Sequence, residues 1–215
     1  MKWKNHGRQS EERGGGLEPV NSTDRRVRAD AQRNSKALLE AAMAVFAASG
    51  VDAPVREIAD KAGVGVGTLY RHFPQRSDLI VAVFRNEVDA CANAAAAIAA
   101  EYEPGEALAR WMQRYVDFIA AKRGLAAAFS SGDPAYESLP LYFLEKLRPA
   151  LQSLLDAATE AGDVRSDVDA KELLFAIARL CSPDRYGGGP EQARRMVGLL
   201  VDGLRYGAPS VGPEI

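Results

Sequence analysis

The sequence predicts an all-α protein with a small N-terminal helical domain at residues 31–80 and a larger helical domain at residues 81–215. Apolar residues recur at helical spacing through most of the chain, whereas no run of convincing length alternates as a β-strand would. Glycine and proline separate the periodic segments, as Gly50 and Pro104 do. We therefore predict helices joined by short turns.

The composition is that of an ordinary soluble protein, since 47% of the 215 residues are hydrophobic and 26% are charged. No apolar run reaches the roughly 18 residues of a membrane span, and the N-terminus lacks the apolar core of a signal peptide. Cys91 and Cys181 fall in different helical segments and do not form a disulfide framework. We expect a cytoplasmic protein that does not associate with a membrane.

The first 30 residues are predicted to be a disordered tail, because they combine glycine, proline and scattered charges with almost nothing to bury. The first helix is predicted within SKALLEAAMAVFAASGVDAP, residues 35–54, and Gly50 ends it. Its inward face consists of Leu38, Leu39, Ala42, Val45 and Phe46.

A helix-turn-helix motif is predicted in VREIADKAGVGVGTLYRHF, residues 55–73. Ile58 lies on the apolar face of its first helix, and Gly63 ends that helix because glycine tolerates the positive φ of a sharp stop. A second short helix, from about Val66 to His72, would bury Leu69. In such a motif the second helix reads the major groove of DNA.

The order of these elements resembles the DNA-binding domain of the tetracycline-repressor (TetR) family of bacterial transcription regulators. A helix with a glycine stop, the helix-turn-helix, the sequence TLYRHFP and a long helix follow one another, with Ser77 as the N-cap candidate of the long helix. The resemblance covers residues 33–85 and continues beyond them only as a general pattern of helices. It implies a homodimeric, ligand-responsive regulator, foremost a repressor that an effector releases from a palindromic operator.

The charge distribution agrees with a nucleic-acid surface in the first domain. Residues 25–85 carry ten basic and six acidic side chains, whereas residues 86–215 carry 13 basic and 19 acidic ones. Positive charge concentrated in one region is expected where phosphates bind. The segment DRRVR, residues 24–28, is either a basic arm that reaches DNA or part of a solvated tail.

The second helix of the motif begins with small residues, which let the backbone approach a duplex closely. Val66 and Thr68 can offer methyl groups to thymine, and the Thr68 hydroxyl can also bind a base or a phosphate. Tyr70 and His72 carry donors for backbone phosphates. For Tyr70, a half-buried packing role is the alternative.

The resemblance implies specific roles for several of these residues. The residues that it implies line the groove are Val66, Gly67, Thr68, Tyr70 and His72. It also implies that Arg76 meets a phosphate and that Arg56 reads a guanine. Arg71 either adds to the phosphate-binding charge or is a plain surface arginine. Pro54 and Gly65 stand where many members of the family have polar residues, so the operator cannot be inferred from relatives.

Further helices are predicted across the second domain, at about residues 77–102, 106–122, 124–130, 139–161, 169–181 and 190–206. Pro149 predicts a kink in the long segment that contains it. Three adjacent helices concentrate the aromatic residues Trp111, Tyr115, Phe118, Phe129, Tyr142 and Phe143. A hydrophobic core explains each of them singly, but as a group they suit an amphipathic ligand. The resemblance adds that this region usually holds an effector cavity, so we expect a small apolar or aromatic effector there.

The last two predicted helices carry apolar faces that are broad for the end of a chain. The resemblance implies that these helices pair with their copies in a four-helix dimer interface, formed by Leu174, Ile177, Met196, Leu200 and Leu204. Packing within one chain is the alternative.

No catalytic, metal or cofactor site is expected. The sequence has no Ser–His–acid set, no Cys/His metal cluster and no phosphate-cradling loop, and its two histidines are His6 and His72. The alternative to a ligand-responsive regulator is a constitutive DNA-binding regulator or architectural protein. That alternative leaves the acidic second domain without a purpose.

Overall fold

The computed structural model describes residues 22–182 and 189–206, and every regular element in these two ranges is helical. The α-helices are α1 (Ser22–Ser49), α2 (Val55–Ala62), α3 (Val66–His72), α4 (Arg76–Glu101), α5 (Pro104–Ala121), α6 (Ala126–Phe129), α7 (Leu139–Glu160), α8 (Ala170–Leu180) and α9 (Pro190–Arg205). Short 3₁₀ turns at Lys122–Leu125 and Pro134–Tyr136 precede α6 and α7. The all-α prediction is confirmed.

The contacts divide the chain after Arg33 into two units. In the first unit, α1 begins at Ser22, which lies inside the segment predicted to be a tail, and Arg33 pairs with Asp30 one turn earlier. Residues 1–21 of the predicted tail are outside the described residues. The rest of the described chain belongs to the second unit.

Two further helix starts differ from the sequence prediction. The N-cap of α4 is Gln75 rather than Ser77, because the Asp78 carboxylate accepts the Gln75 N–H at 2.9 Å and satisfies a donor that the helix leaves free. Pro104 is the first residue of α5, whereas the sequence predicts that α5 starts at about residue 106. Proline is tolerated there because the N–H that it lacks would have no partner within the helix.

The core of the second unit is built on α4, α5 and α7, which pack against one another, and α9 packs on α5. The rings of Trp111, Tyr115 and Phe118 stack along α5, with centroids 5.7 and 5.9 Å apart. Both polar tips in this stack are satisfied: Trp111 Nε1 donates to the Cys91 carbonyl at 2.9 Å, and the Tyr115 hydroxyl donates to the Leu174 carbonyl at 3.4 Å.

Two of the contacts that join the region around α1–α3 to the helices that follow involve backbone carbonyls. At the turn before α6, a Cβ on Gly124 would lie 2.1 Å from the Phe46 carbonyl oxygen of α1, so only glycine allows this close approach. At the start of α4, the Arg76 guanidinium donates to the carbonyls of Val51 and Ala53 in the α1–α2 loop. None of the helices in the described ranges has the length and apolar character needed to cross a bilayer.

Candidate nucleic-acid interface and ligand cavity

The turn between α2 and α3 has the geometry of a tight helix-turn-helix. Gly63 has a φ of 69°, and its N–H donates to the Asp60 carbonyl at 3.2 Å. The Val64 N–H donates to the Ala59 carbonyl at 3.0 Å, which completes the two bonds of a Schellman motif. Gly63 therefore ends α2 sharply, as predicted, and α3 begins at Val66.

One side of α3 is anchored in the core and the other faces solvent. Leu69 and, just after the helix, Phe73 are buried, whereas Tyr70 is 51% exposed and Arg71 is also exposed. The half-buried members of the predicted groove-lining set are Val66, Thr68 and His72. The exposure of Tyr70 leaves its ring and hydroxyl available for a ligand outside the chain.

The glycines at the start of α3 are not required by the packing of the chain. A Cβ on Gly65 or Gly67 would meet no atom within 4 Å, and neither residue has a positive φ. Arg56 is exposed in the first turn of α2 and, within residues 22–182 and 189–206, forms no ion pair. The N-terminal part of α3 thus offers small residues and accessible backbone, with an uncommitted arginine on the preceding helix.

Arg76 has a different environment from the one predicted. Its side chain is half-buried and both terminal nitrogens are committed to backbone carbonyls, Nη2 at 2.8 Å from the Ala53 oxygen. These bonds fix the loop that leads into α2. A phosphate contact by this guanidinium would compete with them, and the phosphate contact stays a prediction.

A mostly apolar cavity of about 310 Å³ is lined by residues of α4, α6, α7 and α8 and of the two 3₁₀ turns. Its lining residues are Phe84, Lys122, Phe129, Tyr136, Leu139, Pro140, Phe143, Leu144, Phe175 and Ala178. The volume lies at the small end of the roughly 300–1,000 Å³ range of ligand pockets. Phe84 and Phe129 meet edge to face here, with centroids 5.1 Å apart.

The cavity contains two of the six aromatic residues predicted to bind the ligand, Phe129 and Phe143. Trp111, Tyr115 and Phe118 are instead fully buried in the core, where their rings stack along α5. Tyr142 is also outside the lining: its hydroxyl donates to the Asp89 carboxylate at 2.7 Å, and burial together with this carboxylate raises the pKa of Tyr142 to about 12.

Lys122 brings the cationic group of the cavity, and its Nζ lies 5.4 Å from the centroid of the Phe143 ring. Burial lowers the pKa of the Lys122 ammonium below its ordinary value. Lys122 was not among the predicted site residues, although its position in the sequence carries a signal. Lys122 follows Phe118 by four residues and continues the apolar stripe of α5, so a helix would place its charge against the core.

The outward surface of α8 and α9 also differs from the predicted dimer interface. Leu174, Ile177 and Leu204 are buried within the single chain, so they have little surface to offer a partner. Met196 and Leu200 are half-buried. The outward apolar side chains on these two helices are Phe175, Leu180 and Leu199, and Leu199 is 63% exposed.

The titratable sulfur groups are enclosed. Cys91 and Cys181 are buried, and burial raises the pKa of the Cys91 thiol to about 12 and that of Cys181 above its ordinary value. In the part of the chain that the structure describes, no three His, Cys, Asp or Glu side chains lie together as a metal site requires.

Two family models match the chain. Residues 38–83 match the model for bacterial regulatory proteins of the tetR family, and residues 103–206 match the model for the C-terminal domain of SbtR-like transcriptional regulators.

Two solved structures share both the fold and much of the sequence. A TetR transcriptional regulator from Streptomyces coelicolor is 39% identical, with a TM-score of 0.66 over 81% of this chain and 99% of that chain. A TetR transcription regulatory protein from Mycobacterium vanbaalenii is 38% identical, with a TM-score of 0.67 over 83% of this chain and 99% of that chain.

Curated relatives match over a shorter stretch. An HTH-type transcriptional regulator from Staphylococcus aureus (strain USA300) is 39% identical over 64 residues, which are 29% of this chain and 35% of that protein's length. The chain therefore matches about a third of the length of such relatives.

Proposed function

Because this chain belongs to the TetR family of bacterial transcriptional regulators, we propose that it binds a palindromic DNA operator as a homodimer and that a small, mainly apolar effector releases it. The observation that carries the DNA-binding part is the N-terminal end of α3. Gly65 and Gly67 stand there in open space, beside exposed Tyr70 and Arg71.

Intramolecular packing gives no reason for these glycines, and Gly67, which lies within α3, lowers stability by roughly 0.5–1 kcal/mol relative to alanine. Close approach of the backbone to a duplex does give a reason, because phosphate oxygens and base edges can then reach the N–H groups of the first turn. The guanidinium of Arg56, which is exposed on α2, can form two hydrogen bonds with one guanine base.

One recognition helix touches only a few base pairs, so a second copy is needed for useful selectivity in a genome. We propose that the outward faces of α8 and α9 form the dimer interface, with Leu199 and Phe175 at the contact and Met196 and Leu200 beside them. A two-fold axis would present two copies of α3 to successive major grooves, about 34–36 Å apart.

The effector would occupy the cavity bounded by Phe129, Phe143 and Phe175. The turn that carries cavity residue Lys122 also carries Gly124, which touches the backbone of Phe46 in α1. A ligand that shifts this turn therefore acts on the DNA-binding region through direct contact. A coupling of about 1–3 kcal/mol, or a 5- to 150-fold change in affinity, is typical of such switches.

The proposal is tested by selecting fragments of bacterial genomic DNA with the purified full chain and aligning the recovered sequences. We expect a near-palindrome whose half-sites lie about one helical turn apart, with binding that weakens steeply as salt rises. The matched control is Arg148→Ala, which removes an exposed arginine far from α3 in sequence and is expected to leave binding unchanged. Recovery of unrelated fragments, with Arg56→Ala no different from Arg148→Ala, would contradict sequence-specific binding.

The effector part is tested separately, by screening small molecules for a rise in melting temperature and for release of the selected DNA. A regulator of the proposed kind must bind its effector more weakly when DNA is bound, by the same factor by which the effector weakens DNA binding. A chain that binds the operator but responds to no cavity ligand would be a constitutive regulator.

A further inference from the structure

The cavity lined by α4, α6, α7 and α8 has one charged side chain among its described lining residues, Lys122. Its other walls are aromatic or aliphatic, apart from the hydroxyl of Tyr136. An ammonium group loses hydration in such surroundings, and nearby ring faces repay only part of the loss. The Nζ of Lys122 lies 5.4 and 5.6 Å from the ring centroids of Phe143 and Phe118.

The chain supplies no counter-charge to this ammonium within the described ranges. No carboxylate of residues 22–182 or 189–206 lies within ion-pair distance of Lys122 or of its neighbour Arg123. The Arg123 guanidinium donates to the Cys181 carbonyl at 2.6 Å, a neutral acceptor, and its buried Nε finds no acceptor among the same residues. Lys122, which lines the cavity, and its neighbour Arg123 are therefore two consecutive cations without a described anionic partner.

We propose that the effector is an apolar carboxylate, whose hydrocarbon or aromatic body fills the cavity and whose carboxylate pairs with Lys122. This inference rests on the proposed effector cavity and names the chemical class of its ligand. The ion pair replaces the hydration that the Lys122 ammonium loses on burial. The apolar body of the ligand covers the rings of Phe129 and Phe143.

The geometry favours a monoanion of modest size over other anions. A phosphate group is usually held by several donors or by the paired donors of an arginine, whereas this lining offers one lysine and one tyrosine hydroxyl. The cavity volume of about 310 Å³ matches a medium-chain or bicyclic acid and is small for a nucleotide. Lys122 is also two residues from Gly124, so a carboxylate that draws the ammonium inward moves the turn that touches α1.

The test measures binding of two pairs of matched probes to the full chain by calorimetry: octanoate against octanamide, and 2-naphthoate against 2-naphthamide. Each pair has nearly the same shape and differs in charge. We expect the wild type to bind at least one carboxylate about 10- to 100-fold more tightly than its amide, as a charge-assisted hydrogen bond predicts. Lys122→Met should abolish this preference, and Lys122→Arg should retain part of it.

The matched control is Lys171→Met, which removes an exposed lysine at the start of α8 and should keep the full preference for the carboxylate. Circular dichroism checks that each variant is folded, and the wild-type comparison alone decides the question should Lys122→Met fail to fold. Equal binding of carboxylate and amide by the wild type overturns the proposed ligand class.

The same measurements separate this inference from the proposed function. If the amides bind the chain and release operator DNA as well as the carboxylates do, the proposed effector cavity still stands. Only the role assigned to Lys122 is then overturned. Failure of all four probes to bind the wild type would overturn the apolar carboxylate, while the operator selection would still test DNA binding independently.

Discussion

Replacing Gly124 by alanine tests the contact between the cavity and the DNA-binding region. The added Cβ would lie 2.1 Å from the Phe46 carbonyl oxygen, 2.6 Å from its carbon and 3.0 Å from the Ala47 Cα. An ordinary carbon–oxygen contact is about 3.3–3.6 Å, so the turn and α1 must separate by roughly 1 Å. Both partners are backbone and cannot yield as the tip of a side chain would.

The cost is that of overpacking, typically about 1–3 kcal/mol, and the backbone partners of Gly124 place it near the upper end. For a chain of this size, 1 kcal/mol shifts the melting temperature by about 2–4 °C, so we expect a fall of roughly 6–12 °C. Calorimetry or circular dichroism measures it. Because the separation also detaches α1 from the turn that carries Lys122, the response of operator affinity to effector should shrink as well.

The control is Gly67→Ala, the same substitution at a helical position where the new Cβ meets nothing within 4 Å. Its melting temperature should equal or exceed that of the wild type, because alanine stabilises a compatible helical site by about 0.4–1 kcal/mol. A Gly124→Ala protein with the wild-type melting temperature would refute the close approach of Gly124 to α1. A normal response of its operator affinity to effector would refute the coupling assigned to this contact.

Other predictions concern the DNA reader, the dimer and the thiols. Arg56→Ala should weaken specific binding by about 1–3 kcal/mol and relax preference at one base pair of each half-site, as anisotropy on single-base operator variants would show. Arg76→Ala should lower the melting temperature, because the α1–α2 loop loses two donors; unchanged melting would return Arg76 to the phosphate role. Leu199→Glu should give folded monomers in sedimentation experiments, and a stable dimer would show that the interface lies elsewhere. Cys91 and Cys181 should resist thiol reagents until the chain unfolds; because the Cys91 pKa rises from 9.0 to about 12, its contribution to stability is full below about pH 9 and is lost as pH rises toward 12.

Local features of the fold could be predicted from the sequence because local chemistry determines them. The stop at Gly63 follows from the positive φ that a Schellman motif requires, and α3 runs from Val66 to His72 as predicted. The start of α4 was misplaced by two residues because both Gln75 and Ser77 can cap a helix, and the Asp78 carboxylate decides between them.

Features that depend on which helices meet were harder to predict. An apolar stripe shows that a face is buried but not what covers it, so Leu174 and Ile177 were assigned to a partner although α8 buries them within the chain. For the same reason, Trp111 was predicted to bind the ligand, whereas its position on α5 directs its side chain toward the core. The bonds from Arg76 to the α1–α2 carbonyls could not be predicted, because those carbonyls lie more than 20 residues away in sequence.

The bonds from Arg76 to the α1–α2 loop have a thermodynamic consequence. They fix the entry to α2 in the absence of DNA, so we expect operator binding by this region to proceed without a folding step. The heat-capacity change on binding should therefore match the apolar surface buried at the contact, without the much larger value that accompanies coupled folding. In the proposed dimer, an effector would then change the spacing and tilt of two folded DNA-binding regions. We therefore expect hydrogen exchange in α2 and α3 to remain slow in the released state.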